Sequence, residues 1–223
     1  MKIGTIVPAA GASSRMGRDK ALLPLAGGTV LQSILDTHRR TGIDPILVVS
    51  GNNDEELRRR HPDALLLRNP HPDRGMFSSI QTGVQALSDD IDAFFVHPVD
   101  IPLVRPETLL HLVARFVKHR DRCRDETLLL SFIPVHKGRR GHPPLLSRSF
   151  VRVIREAAGA NGLAAVLRRH AIEEVPCEDP GVLIDMNTPE TYQKVRERLE
   201  QVDREGGEQE KQISSAFLPT PDF

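Results

Sequence analysis

Short apolar runs alternate with amphipathic stretches along most of the chain. Residues Ile3 to Val7 form an apolar, β-branched run that predicts a strand buried on both faces and ends at Pro8. Similar runs predict strands at Pro45 to Ser50, Ala64 to Leu67, Ala93 to Val96, Thr127 to Ile133, Ile172 to Val175 and Val182 to Ile184. Between them, Thr29 caps a predicted helix with Leu31, Ile34 and Leu35 on its apolar side, and Asp54 caps a short charged one reaching about Arg60. Ser78 or Ser79 starts another, with Ile80, Val84 and Leu87 on one face. Pro106 opens a strongly amphipathic helix to about His119, and Arg120 to Glu126 reads as a charged connector. Further helices are expected around Arg148 to Ala158 and Gly162 to Arg169. A last one, capped by Thr188 with Pro189 behind it, reaches about Glu200. The segments Asn69 to Gly75 and Val135 to Pro144 lack periodicity and read as loops.

Strands alternating with helices predict an α/β fold, a three-layer Rossmann-like sandwich with a mostly parallel sheet. One domain is expected over residues 1–200. Residues 201–223, with Gly206-Gly207 and many polar positions, read as a tail of little intrinsic order whose Phe217, Leu218 and Phe223 could dock on a neighbouring surface.

Charge and cysteine content narrow the partners. The 223 residues carry 30 basic and 30 acidic side chains, so no whole-chain attraction draws the protein to nucleic acid or an anionic membrane, and a small-molecule substrate is expected. Cys123 and Cys177 show no metal-ligand spacing, which suits a reducing compartment. Without a leader-like start or an apolar segment of membrane length, a cytoplasmic protein is expected.

Candidate chemistry begins directly after the first strand. Ala9, Ala10, Gly11, Ala12, Ser13 and Ser14 have almost no side-chain bulk, so an anion can approach their backbone amides, while Ser13 and Ser14 add hydroxyl donors. Arg15 offers a planar fork to two phosphate oxygens, and Lys20 a mobile point charge. The stretch lacks both the Gly-Lys-Ser/Thr ending of a Walker loop and the dinucleotide Gly-x-Gly-x-x-Gly pattern. Taken alone it also fits a solvent-facing turn with ordinary surface charges. Asp100 and Asp185 each follow an apolar run. Parallel strands would bring both to one edge of the sheet as hard oxygen ligands for Mg2+, although either aspartate alone also fits a helix cap or a loop hydrogen bond.

The run from Ala9 through Gly11, Arg15, Gly17 and Lys20 to Leu25 resembles the signature of the molybdopterin nucleotidyltransferase-like (MobA-like) branch of glycosyltransferase-A-type nucleotidyltransferases, over roughly residues 1–195. The resemblance implies a nucleotide site built from Ala9 to Ser14 and Gly17, with Arg15, Lys20 and Asp100 catalytic. It further implies that Asp100, joined by Asp185, binds the divalent ion. The segment after Ile184 departs from the usual Asp-x-Asp-Thr-Pro-Glu form, because Asn187 stands at the second acidic position and leaves a second-metal role there in doubt.

Gly75 to Gly83, with Ser78 and Ser79, is similar to the base and ribose segment of the molybdenum cofactor cytidylyltransferases, though the two serines also suit a plain helix cap. Arg140, Gly141, His142 and Pro143 are similar to that subgroup's acceptor loop; Arg139 and Arg140 fit equally a solvated surface pair. The implied reaction is Mg2+-dependent transfer of CMP from CTP to the phosphate of molybdopterin, with release of pyrophosphate and with a molybdenum enzyme as an eventual maturation partner. Two other readings stand beside it: transfer to a sugar phosphate or another phosphorylated acceptor, and a nucleotide-binding module without turnover.

Overall fold

The computed structural model describes residues 1–11, 17–123, 128–158 and 162–199. A mixed sheet forms the middle layer. Its strands are β1 (Ile3–Pro8), β4 (Ile46–Ser50), β5 (Leu65–Arg68), β6 (Ala93–Val96), β7 (Leu130–His136), β8 (Arg139–Arg140), β9 (Leu145–Ser147) and β10 (Ala171–Pro176), while β2 (Pro24–Leu25) and β3 (Gly28–Thr29) make a separate two-stranded ribbon. The spatial order is β10-β7-β9-β6-β1-β4-β5, with β8 paired to β7. Strands β5, β4, β1 and β6 run parallel; β9 lies antiparallel between β6 and β7.

Among the described residues the helices are α1 (Val30–Arg40), α2 (Asp54–Arg60), α3 (Met76–Ala86), α4 (Pro106–Cys123), α5 (Phe150–Glu156), α6 (Gly162–Leu167) and α7 over 189–199, the last packing by Val195 against Leu23, Leu25 and Val30. Successive strand residues point to opposite faces, which divides the core. On β6, Phe94 and Val96 pack with Ile80 and Val84 of α3 and Phe150 of α5. Phe95 turns the other way, toward Leu109, Leu112 and Phe116 of α4, and neighbouring Val7 and Val48 meet Leu31 and Ile34 of α1. Both faces being dry explains why the central strands read as uninterrupted apolar runs.

Most predicted elements are present, with local corrections. Thr29 does cap α1, its hydroxyl accepting from Gln32 N at 3.1 Å. Asp54 is instead the first helical residue of α2, behind Asn53. Helix α3 starts earlier, at Met76 behind Gly75, and Ser78 turns its hydroxyl back to the carbonyls of His71 (2.9 Å) and Gly75 (2.8 Å) rather than capping the helix. Helix α4 runs on to Cys123, through residues read as a connector. The apolar run Val182 to Ile184 is not a strand: Pro180–Leu183 forms a 3-10 turn, capped by Asp179, which accepts from Gly181 N at 2.9 Å. The expected loop from Val135 to Pro144 contains a hairpin, and the unpredicted strand β9 follows it. The tail lies outside the described residues, as do Ala12, Ser13, Ser14 and Arg15.

Candidate active site

The parallel strands place the ends of β1, β4 and β6 at one edge of the sheet, with β4 and β6 on opposite sides of β1. Such a reversal opens a crevice at the carboxyl ends of the strands. A cavity of about 210 Å3 lies there. Ala9, Ala10 and Gly11 line it from the end of β1, Asp19 and Lys20 from the 3-10 turn before β2, Gly75 and Ser79 from the start of α3, and Asp100 from the loop after β6. Among the described residues nothing lies within 4 Å of where a Cβ on Gly11 would stand. Gly17 is described but does not line this space.

Lys20 joins two distant parts of the chain. Its ammonium donates to Asn187 Oδ1 at 2.7 Å and approaches Asp100 Oδ2 at 3.5 Å, and the Lys20 and Asp100 side chains are only 15% and 16% exposed. The two acidic loops are also stapled to each other. Met186 N donates to the Asp100 carbonyl at 2.9 Å. Buried Asp179 accepts from Arg105 N and Thr108 Oγ1, each at 2.8 Å, and so ties the segment leading to Asp185 to the start of α4.

Two asparagines organise the loops beside the cavity. The Asn53 side-chain amide donates to Asp19 Oδ2 (2.5 Å) and to the Ala9 carbonyl (2.9 Å), and its Oδ1 accepts from Gly51 N. Burial pushes the Asp19 carboxyl up, while the Asn53 and Ala21 hydrogen bonds pull it down. Asn69 donates to the hydroxyls of Ser78 (2.8 Å) and Ser79 (3.0 Å). Ser78 is thus engaged with the 69–75 loop, and Ser79 is the serine of the pair that lines the cavity. Neither asparagine nor Asp179 belongs to a sequence pattern that announces its role; their partners are assembled only by the fold.

The acceptor-loop residues separate. His142 is exposed at this edge of the sheet; desolvation by the surrounding protein lowers its pKa, while Asp100 and Asp185 pull it upward. All three side chains therefore share one electrostatic neighbourhood. Gly141 must be glycine, since a Cβ there would stand 2.6 Å from the Val182 carbonyl; the same close approach lets His142 N donate to that carbonyl at 2.9 Å. Pro143 follows, buried, across a cis peptide bond. Arg140 leans away and pairs with Glu174 at 2.7 Å in a solvent-exposed contact.

Among the described residues no group of three or more His, Cys, Asp or Glu side chains forms a metal cage. A small hard cation does not need one, because Mg2+ takes one or two carboxylates and completes its shell with water and substrate phosphates. Asp100 and Asp185 are the carboxylates that could hold such an ion, and the amide oxygen of Asn187 meets the same lysine as Asp100.

Residues 5–175 match the MobA-like NTP transferase domain family. The chain belongs to this family. It is accordingly a nucleotidyltransferase, with the α/β Rossmann-like fold of that group. A molybdenum cofactor cytidylyltransferase of Escherichia coli is 26% identical over 206 residues, spanning 90% of this chain and 98% of that protein. A molybdenum cofactor guanylyltransferase of Xanthomonas euvesicatoria is 37% identical over 109 residues, about half of each chain (49% and 52%). Among solved structures, a nucleotidyl transferase from Methanothermobacter superposes with a TM-score of 0.73 at 23% identity, covering 90% of this chain and 99% of the other, a likeness of fold. Among the described residues of this MobA-like transferase, no helix is long and apolar enough to cross a membrane.

Proposed function

We propose that this MobA-like transferase moves CMP from CTP to the phosphate of molybdopterin or its molybdenum cofactor and releases pyrophosphate. The observation that carries the reading is the convergence of Lys20, Asp100 and Asn187 beside a cavity walled by the backbone of Ala9 to Gly11. The near full-length similarity to a molybdenum cofactor cytidylyltransferase supports the choice of base and acceptor.

The acceptor phosphate is already an anion at neutral pH, so in-line attack on the α-phosphorus needs no protein base. The Ala9 to Gly11 backbone lets the triphosphate approach closely, and Lys20, held by Asn187 and Asp100, places a positive charge beside it. Arg15, on the same glycine-containing stretch, adds the bidentate cation. Asp100 and Asp185 would hold Mg2+, which when bound supplies positive charge to the reacting phosphoryl group and the leaving pyrophosphate. Ser79 presents a polar wall to the nucleotide, and His142 a hydrogen-bond donor or acceptor to the phosphorylated acceptor.

The test is a matrix of CTP, GTP and ATP against molybdopterin, a hexose 1-phosphate and an alcohol phosphate, read by pyrophosphate release with Mg2+. CTP with molybdopterin should give the highest kcat/KM. Faster turnover with a sugar phosphate would reassign the acceptor, a preference for GTP would reassign the base, and nucleotide binding without release across the panel would make the protein a binding module.

A further inference from the structure

A chain of buried polar side chains runs behind Asp100 and has no part in the chemistry described so far. Thr5 Oγ1 lies 3.0 Å from His38 Nδ1, His38 Nε2 lies 2.8 Å from His97 Nδ1, and His97 Nε2 lies 2.8 Å from the carbonyl of Ile101. Thr5, His38 and His97 are each 0% exposed and come from β1, from α1 and from the loop after β6.

One arrangement of protons satisfies every link. The Ile101 carbonyl can only accept, so His97 Nε2 carries a hydrogen; a neutral His97 then accepts at Nδ1 from His38 Nε2–H, and His38 accepts at Nδ1 from the Thr5 hydroxyl. Burial favours neutral rings, lowering the pKa of both histidines. The relay thus has a fixed direction and ends on one backbone oxygen.

That oxygen closes a turn around Asp100. Ile101 N donates to the Pro98 carbonyl at 3.1 Å, and the His97 side chain spans the same turn from the residue before it to its last residue. Asp100 is the residue next to the end of this closed loop. Its own carbonyl is held from outside by Met186 N.

We propose that His97, braced by His38 and Thr5, is a positioning residue for Asp100: by fixing the Ile101 carbonyl it sets the direction of the Asp100 carboxylate toward Lys20 and the divalent ion. This rests on the reading of Asp100 as a metal-binding carboxylate in nucleotidyl transfer. His97 touches neither substrate nor metal in this role. Groups that orient a metal-binding carboxylate without touching the metal typically change its affinity about 10–100-fold when lost.

The test uses the full-length protein and Mn2+ as the probe, with free Mn2+ counted by its electron paramagnetic resonance signal. His97→Phe keeps the ring volume and removes the donor to Ile101; His97→Gln offers an amide donor at a similar reach; Thr5→Val removes only the far end of the relay. The Mn2+ dissociation constant should rise about 10-fold or more in His97→Phe, fall back most of the way in His97→Gln, and rise less in Thr5→Val. CTP binding measured in EDTA should stay within about twofold of wild type, which a general loss of structure would not allow. Should His97→Phe not fold, the ordering wild type, His97→Gln, Thr5→Val carries the test, and Mn2+ affinity unchanged in both overturns the proposal. A folded His97→Phe that binds Mn2+ like wild type also overturns it, leaving the transferase reading standing. Wild-type protein that neither binds Mn2+ nor releases pyrophosphate overturns the transferase reading and this proposal with it.

Discussion

The Lys20 ammonium stands 2.7 Å from the amide oxygen of Asn187 and 3.5 Å from the carboxylate of Asp100. One cation therefore bridges the loops that follow the first and sixth strands to the loop that precedes the last helix. Asn187 occupies a position where the resembled family usually carries an acid. The neutral amide holds Lys20 without adding a second negative charge to that of Asp100.

Replacing Asp100 with alanine should lower the rate of pyrophosphate release by at least roughly 100-fold, the scale expected when a strong electrostatic stabiliser is lost. The fold should survive, because among the described residues the Asp100 carboxylate makes one long contact, 3.5 Å to Lys20, at the edge of the cavity. Steady-state turnover and thermal unfolding of the same preparation check both halves of this expectation.

Asn187→Asp tests the amide directly. A carboxylate at this position would pair with Lys20 and draw its charge away from the nucleotide, so KM for the nucleoside triphosphate should rise severalfold. Lys20→Ala should depress turnover in both backgrounds, and the combined variant should show less than the sum of the two effects, since the residues act as one unit.

Asp179→Ala should destabilise the protein by roughly 2–4 kcal/mol, because it strips partners from Arg105 N, Thr108 Oγ1 and Gly181 N in a buried setting. Urea unfolding measures this. At permissive temperature the folded variant should also bind Mn2+ more weakly, as the segments carrying Asp100 and Asp185 lose a shared anchor.

Stability should fall as the solution is acidified below neutrality. His38 and His97 are held neutral, and burial brings the latter to about 4, whereas in the unfolded chain each titrates near about 6.5. Below about 6.5 the unfolded state binds more protons than the native one, so this contribution is complete above that pH and is lost progressively down to about 4. Each histidine adds a slope of up to about 1.4 kcal/mol per pH unit. His61 and His142 shift in the same direction, so the informative comparison is denaturant unfolding of wild type and His97→Gln at pH 7.5 and pH 5, where the variant should lose less stability.

The framework was legible because it rests on local pattern. Residues Ile3 to Val7 and Ala93 to Val96 are apolar on both faces, which only a central strand requires, and Asp100 stands out as the acid that ends such a run. The supports of the site were not legible. Asn53 meets Asp19 across 34 residues and Asp179 meets Thr108 across 71, and a polar residue reveals nothing of a partner that distant. Strand β9 escaped notice because three residues carry no period, and its ladder depends on neighbours on both sides. Val182 to Ile184 misled in the opposite sense: the run is apolar because a capped turn buries it. Nothing in the sequence around His97 announces its hydrogen bond to the Ile101 carbonyl or its link through His38 to Thr5, 92 residues away.

Transfer of label from CTP carrying 32P at the α-phosphate tests the central claim most directly. With molybdopterin and Mg2+, the label should move into the pterin product in step with unlabelled pyrophosphate, faster than from GTP labelled in the same way, and Asp100→Ala should abolish most of the transfer. Label appearing only as free CMP, or moving faster from GTP than from CTP, would contradict the assignment of this protein as a cytidylyltransferase acting on that acceptor.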